Sequence, residues 1–183
     1  SKHPDSGFYL DNLGELSAIL QKRNNDQQTT LLVGVSFALL DLAEQYPMEF
    51  WSNIKLMETG GMKGRRKEMV RSELHKHLQK AFDLQAIHSE YGMTELLSQA
   101  YSPGEGLFNA PPWMKILIRD PNDPLSMLPD GQSGGINIID LANIHSCAFI
   151  ATADLGKVFE DGSFEVLGRY DHSDIRGCNL LVG

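Results

Sequence analysis

The stretch TLLVGVSFALLDLAEQYP, Thr30 to Pro47, decides the architecture. Thr30 to Val35 is a short apolar run of strand character. From Ser36 the apolar residues Leu39, Leu40 and Ala43 recur at helical spacing, and Pro47, which lacks an N–H, stops the helix before it. Ser36 is expected to cap that helix. The unit repeats downstream. Asn53 to Glu58 reads as a second strand, Thr59 to Gly64 as a glycine-bearing loop, and Lys67 to Phe82 as a helix with Val70, Leu74, Leu78 and Ala81 on one face. Ala86 to Ser89 reads as the next strand. Upstream, Asp11 to Lys22 is helical with Asp11 as its N-cap, and the polar run Asn24 to Gln28 breaks it. Strands alternating with helices at these lengths predict an α/β fold with a parallel sheet over residues 1–100.

The pattern changes after Tyr101. Pro103, Gly104, Gly106, Pro111 and Pro112 punctuate the chain, Trp113 to Ile118 is apolar, and a turn-rich loop runs from Asp120 to Gly135. Gly135 to Leu141, Ala148 to Ala151, Lys157 to Glu160, Ser163 to Leu167 and Asn179 to Val182 read as short strands. Asp161-Gly162 between two of them is a hairpin turn signal. Residues 101–183 are therefore expected to form a small β-rich, barrel-like subdomain.

Of 183 residues 42% are hydrophobic, enough for a globular core, and the net charge of −8 argues against a broad nucleic-acid or anionic-membrane footprint. No apolar run is long enough to span a membrane and no leader pattern is visible, so a soluble, cytoplasmic protein is expected. Only two cysteines are present, Cys147 and Cys178, with no Cys-x-x-Cys, which argues against a disulfide framework or a structural zinc site. A chain that opens at Ser1 without Met is expected to be part of a longer product.

Several residues could carry chemistry. Gly60, Gly61 and Gly64 lie between a strand and a helix, with Lys63, Arg65, Arg66 and Lys67 crowding the expected helix start. Either an anion such as phosphate or neighbouring carboxylates must neutralise those cations. Thr94 and Glu95 follow Gly92 just after a strand end, where open parallel sheets bind ligands; a hydroxyl suits a phosphate oxygen and a carboxylate suits Mg²⁺. Asp154, expected after a strand, could accept from ribose hydroxyls, and Arg169 could reach a phosphate. Gly34-Val35-Ser36-Phe37-Ala38 falls one glycine short of a serine-hydrolase elbow. His75 and His77 sit two apart on a helix and do not share a face. Cys178, beside Arg176 and Gly177, has the surroundings of a thiolate, whereas Cys147 is expected in a strand, buried and inert.

The stretches LLVGVSFALLDLA, METGGMKGRR, SEYGMTELLSQAYS, PPWMKILIRD, TADLG and GRYDHSDIRGCN together resemble the C-terminal half of the LuxE family of acyl-protein synthetases. That family belongs to the adenylate-forming superfamily, near the phenylacetate–CoA ligases. The resemblance implies a partial adenylate-forming fold that uses ATP and Mg²⁺ to turn a fatty or other carboxylic acid into an acyl-adenylate. Gly60 and Gly61 would line the adenine pocket, and Tyr91 would stack on the base with Gly92 in the same motif. Thr94 would donate to phosphate, Glu95 would hold the magnesium, Asp154 the ribose, and Arg169 the ribose or a phosphate. Cys178 would accept the acyl group as a thioester before handing it to an acyl-CoA or fatty-acid reductase partner. Ala153 replaces the usual glycine of Thr-Gly-Asp, and the segment around Asp171 is a residue shorter than in the superfamily. The superfamily's Ser/Thr/Gly-rich phosphate loop and its C-terminal catalytic lysine have no counterpart in this sequence. An acyl-CoA ligase of the phenylacetate type, and a non-catalytic docking domain, are the alternative readings.

Overall fold

The computed structural model describes residues 3–169 apart from Lys63 and Glu68. The chain divides into two units, Ser1–Ser89 and Glu90–Gly183. In the first, helix α1 (Leu13–Asn25) precedes β1 (Thr30–Val35), α2 (Ser36–Gln45), β2 (Ile54–Thr59) and α3 (Arg71–Phe82). The unit boundary falls inside β3 (His88–Tyr91), and β4 (Ala100–Ser102) lies in the second unit. β1 and β2 run parallel, from Thr30 opposite Ile54 to Val35 opposite Thr59. The inward parity of these strands puts Leu32, Ile54 and Leu56 into a core with Leu39, Leu42, Leu74 and Leu78, while Leu31 and Val33 face outward. Phe50 stacks on Phe82 with centroids 4.8 Å apart.

The second unit has its own core. Strands β5 (Leu107–Phe108), β6 (Met114–Arg119), β7 (Ser133–Asp140), β8 (Phe149–Val158) and β9 (Phe164–Arg169) form a half-barrel sheet of order β5-β9-β8-β7-β6. Every pairing in it is antiparallel. A 3-10 turn, Leu141–Asn143, follows β7. Phe108, Ile116, Ile118, Ile136, Ile138 and Phe164 fill the inner face. The Asp161-Gly162 hairpin forms as expected: Gly162 takes φ 82°, and the Phe159 N–H donates to Ser163 O at 2.9 Å.

Local departures from the sequence reading have physical causes. Asn12, not Asp11, precedes α1, and its amide reaches Glu15 instead of capping the backbone. Ser36 is the first residue of α2, not its cap, because its hydroxyl donates to Glu58 Oε2 and to Gly60 O. Helix α3 begins at Arg71, four residues after the expected Lys67. The two strands expected around Thr152 to Gly156 are one ten-residue strand, β8, so Asp154 lies within a strand instead of after one. The small residues that resemble a turn answer to the neighbouring strand: Thr152 Oγ1 donates to Ile136 O, and a Cβ at Gly156 would come 2.5 Å from Ile136 Cδ1.

Candidate functional site

Tyr91, at the end of β3, and Asp154, in β8, meet within the second unit, the phenol donating to Asp154 Oδ2 at 2.8 Å. Arg169 Nε stands 3.7 Å from the other carboxylate oxygen. The β8–β9 register explains that proximity. Val158 pairs Phe164 and Gly156 pairs Val166, then an irregularity at Leu155/Gly156 advances β9 by one residue, so Asp154 faces Arg169 instead of Gly168. The Tyr91 ring is 7% exposed and meets Phe108 and Phe164 edge-on at 6.0 and 5.7 Å, so little of it is left to face a ligand. Burial, then the negative charge of Asp154, push the phenol far above the usual tyrosine range, so it stays a proton donor. Arg169 is largely exposed, and its long contact leaves its guanidinium available to an anion.

Thr94 and Glu95 occupy the centre of a turn closed by the Leu96 N–H donating to Met93 O at 3.1 Å. Leu96 is buried and anchors the turn, while the side chains of Thr94 and Glu95 are exposed. The loop is held from β7. Asp140 Oδ2 accepts from the N–H groups of Leu97 and Ser98 at 3.1 and 2.9 Å, and Oδ1 accepts from Ser98 Oγ at 2.7 Å. Asn143 Nδ2 donates to Glu95 O at 2.6 Å. Burial alone would raise the Asp140 pKa, but the hydroxyl and backbone N–H of Ser98, then the N–H groups of Ala142 and Leu97, outweigh it and hold the group below the usual carboxylate range. Neither Asp140 nor Asn143 belongs to a recognisable motif. The available signal was parity, because Ile136, Ile138 and Asp140 share the inward face of β7 and a carboxylate there must find donors.

Gly60 and Gly61 lie in the first unit, just after β2. Gly60 takes φ 71°, a conformation that favours glycine, and no heavy atom lies within 4 Å of a Cβ built on Gly61. Under this loop, Glu58 is buried, receives Arg71 Nε at 3.1 Å on Oε1, and lies 3.6 Å from His75 Nε2. His75 Nε2 is also 3.2 Å from Ser89 Oγ. Burial opposes ionisation of Glu58, but the His75 hydrogen bond, the Arg71 charge and the Ser89 hydroxyl win and lower its pKa. Ser36 spends its hydroxyl on Glu58 and the Gly60 carbonyl and is therefore a strut of this loop, an arrangement that favours a structural role over the elbow reading. Of the basic residues here, Arg66 pairs with Asp41 and Glu44 on α2, and Arg65 lies 4.8 Å over the Phe37 ring.

Cys147 is exposed, contrary to the expectation of a buried strand cysteine. It precedes β8 in the loop after the 3-10 turn, where Asn143 Nδ2 donates to its carbonyl at 2.9 Å and its thiol lies 3.2 Å from Phe149 O. Asp171, Arg176, Gly177, Cys178 and the strand expected at Asn179 to Val182 lie outside the described residues.

One carboxylate on a turn suits Mg²⁺, which keeps most of its waters and takes one or two protein oxygens beside substrate phosphates. Among the described residues no three His, Cys, Asp or Glu groups form a dedicated metal cluster. Glu95 fits the magnesium role on those terms.

No protein-family model matches the chain. ATP-bound MatB from Rhodopseudomonas palustris matches with a TM-score of 0.62 at 19% identity, over 86% of this chain and 33% of MatB. The chain carries part of the adenylate-forming fold. The same fold appears in O-succinylbenzoate coenzyme A synthetase (MenE) from Bacillus subtilis, in complex with ATP and magnesium ion, with a TM-score of 0.54 at 20% identity over 84% of this chain and 34% of MenE. In sequence the chain is 26% identical over 140 residues to the long-chain-fatty-acid–luciferin-component ligase of Vibrio harveyi, covering 71% of this chain and 37% of that ligase. The resemblance to the LuxE family read from the motifs and the adenylate-forming fold therefore agree. The chain spans about a third of these relatives' length.

Proposed function

We propose that this chain is the nucleotide-binding part of an acyl-adenylate-forming ligase that loads a fatty acid onto its own cysteine. The observation that carries the reading is the meeting of Tyr91 with Asp154, 63 residues later in the chain, beside Arg169 on the paired strand. The match to a long-chain-fatty-acid ligase supports a fatty acid over other carboxylic acids as substrate.

In the second unit Asp154, its Oδ2 fixed by Tyr91, presents Oδ1 to ribose hydroxyls; Gly60 and Gly61, in the first unit, are the residues that the family resemblance assigns to the base. Gly92 gives Tyr91 and the Thr94–Glu95 turn their spacing. Thr94 donates to a phosphate oxygen and Arg169 pairs with phosphate or ribose. Glu95 would hold Mg²⁺, whose charge offsets that of the triphosphate. The substrate carboxylate attacks the α-phosphorus, the bond to pyrophosphate breaks, and acyl-adenylate forms; positioning and charge neutralisation dominate such displacements. The Cys178 thiol gives its proton to solvent, and the resulting thiolate attacks the acyl carbon as the bond to AMP breaks and AMP departs. A reductase partner would take the acyl group from the thioester. With the net charge of −8 and no helix among the described residues long and apolar enough to cross a membrane, a cytoplasmic enzyme is the proposed setting.

Incubating the intact protein with ATP, Mg²⁺ and a labelled fatty acid tests the transfer step. The expected result is a hydroxylamine-labile label that maps to Cys178, is lost in Cys178→Ser and persists in Cys147→Ser. Labelling of exposed Cys147 instead would reassign the acceptor. Acyl transfer only to added coenzyme A, undiminished in Cys178→Ser, would favour the acyl-CoA ligase. No nucleotide binding at all would favour a docking domain.

A further inference from the structure

We infer that Asp140 and Asn143 are positioning residues for the Thr94–Glu95 turn, setting where the Glu95 carboxylate stands; this rests on the proposed role of Glu95 in magnesium binding. The turn is pinned at three backbone points by a pair of side chains one 3-10 turn apart. Asn143 holds the carbonyl of Glu95 itself, and Asp140 holds the N–H groups of the second and third residues after it.

Both anchors are built to stay in place. Asp140 is fully buried, and its Oδ1 also accepts from the Ala142 N–H at 3.1 Å, so one carboxylate caps the 3-10 turn and grips the loop. Asn143 is buried, its second amide bond goes to Cys147 O, and its own Oδ1 accepts from Ser146 Oγ at 2.5 Å. Trp113 Nε1 donates to Ser98 Oγ at 2.9 Å, locking the serine that Asp140 grips. A network satisfied on every side holds its members at fixed positions. Within itself the turn is closed by the Met93–Leu96 hydrogen bond and seated by the packing of Leu96 and Met93 against the core, contacts that leave Glu95 at its exposed tip. A ligand carboxylate needs its supporting contacts, and removing such outer partners costs roughly 10- to 100-fold in metal affinity.

Three variants of the intact protein test this: Asn143→Ala, Asp140→Asn, and Glu95→Gln as reference. Hydrogen exchange over residues 93–98 reports the clamp, and calorimetric titration of ATP at varied Mg²⁺ reports the metal. Asn143→Ala is expected to speed exchange in that segment and to raise the Mg²⁺ needed for half-maximal ATP binding about 10-fold, as Glu95→Gln does, with ATP affinity in the absence of metal unchanged. Faster exchange with an unchanged Mg²⁺ requirement would make the pair merely structural and overturn the inference, as would no change in exchange. Should Asp140→Asn fail to fold, Asn143→Ala decides alone. Wild-type protein that binds no ATP at any Mg²⁺ level would remove the functional reading and this inference with it, whereas normal wild-type binding with an unaffected variant removes the inference only.

Discussion

Replacing Tyr91 with Phe deletes one oxygen and leaves the ring against Phe108 and Phe164, so its effect isolates the hydrogen bond to Asp154. A hydrogen bond to a charged acceptor contributes about 1.5–3 kcal/mol, and removing one partner strands the other. Asp154 retains 15% side-chain exposure, so water recovers part of that loss and about 1.5 kcal/mol is expected for the single variant. Arg169 is 79% exposed, and its 3.7 Å contact adds little to stability at that exposure. A double-mutant cycle of Tyr91→Phe and Asp154→Ala, measured by urea unfolding of the intact protein, should therefore give a coupling of about 1–2 kcal/mol. The same cycle with Arg169→Ala in the background should give the same coupling. A coupling below about 0.5 kcal/mol, the level found for independent sites, would refute the reasoning that the phenol holds the carboxylate.

Further expectations concern the scaffold. Phe164→Ala, at a fully buried ring, should cost about 3–5 kcal/mol in unfolding experiments. Gly156→Ala places a Cβ 2.6 Å from Glu165 O, a backbone atom that cannot step aside, so a loss of about 1–3 kcal/mol is expected, only partly relieved by Ile136→Val. Glu58 and Asp140 have folded pKa values below their unfolded ones, so the stability they contribute is complete above the ordinary carboxylate range and is lost as pH falls through their lowered values. Stability measured downward from neutral pH should accordingly fall less steeply in acid for Glu58→Gln and Asp140→Asn than for wild type, and equal slopes would count against the lowered values.

Much of this was open to reading from local pattern. Thr30–Val35 is a strand to the residue, because an apolar run between polar Gln28 and the helical spacing of Leu39 and Leu40 leaves no other reading. Asp161-Gly162 fixed the hairpin in the same way. What depends on distant partners was not visible. Thr152 to Gly156 looks like a turn by residue type, and only Ile136 on the adjoining strand explains why small residues stand in β8. The register step that puts Arg169 opposite Asp154 is a property of two paired strands and leaves no mark on either alone. Short β4 and β5 hide among Pro103, Gly104 and Gly106, where turn signals outweigh two or three strand residues. Asp140 finds its donors more than forty residues earlier in the chain, so no spacing rule could pair them. The site residues were legible as motif members, and their supports were not.

The proposed activity stands most directly on whether the intact protein forms acyl-adenylate. Fatty-acid-dependent exchange of labelled pyrophosphate into ATP measures that step without reference to the later acceptor. The expected result is exchange that requires both the fatty acid and Mg²⁺, survives Cys178→Ser, and drops by at least about tenfold in Asp154→Ala, the loss that about 1.4 kcal/mol of transition-state stabilisation represents. Folded wild-type protein that supports no exchange with any fatty acid, or exchange untouched by Asp154→Ala, would contradict it.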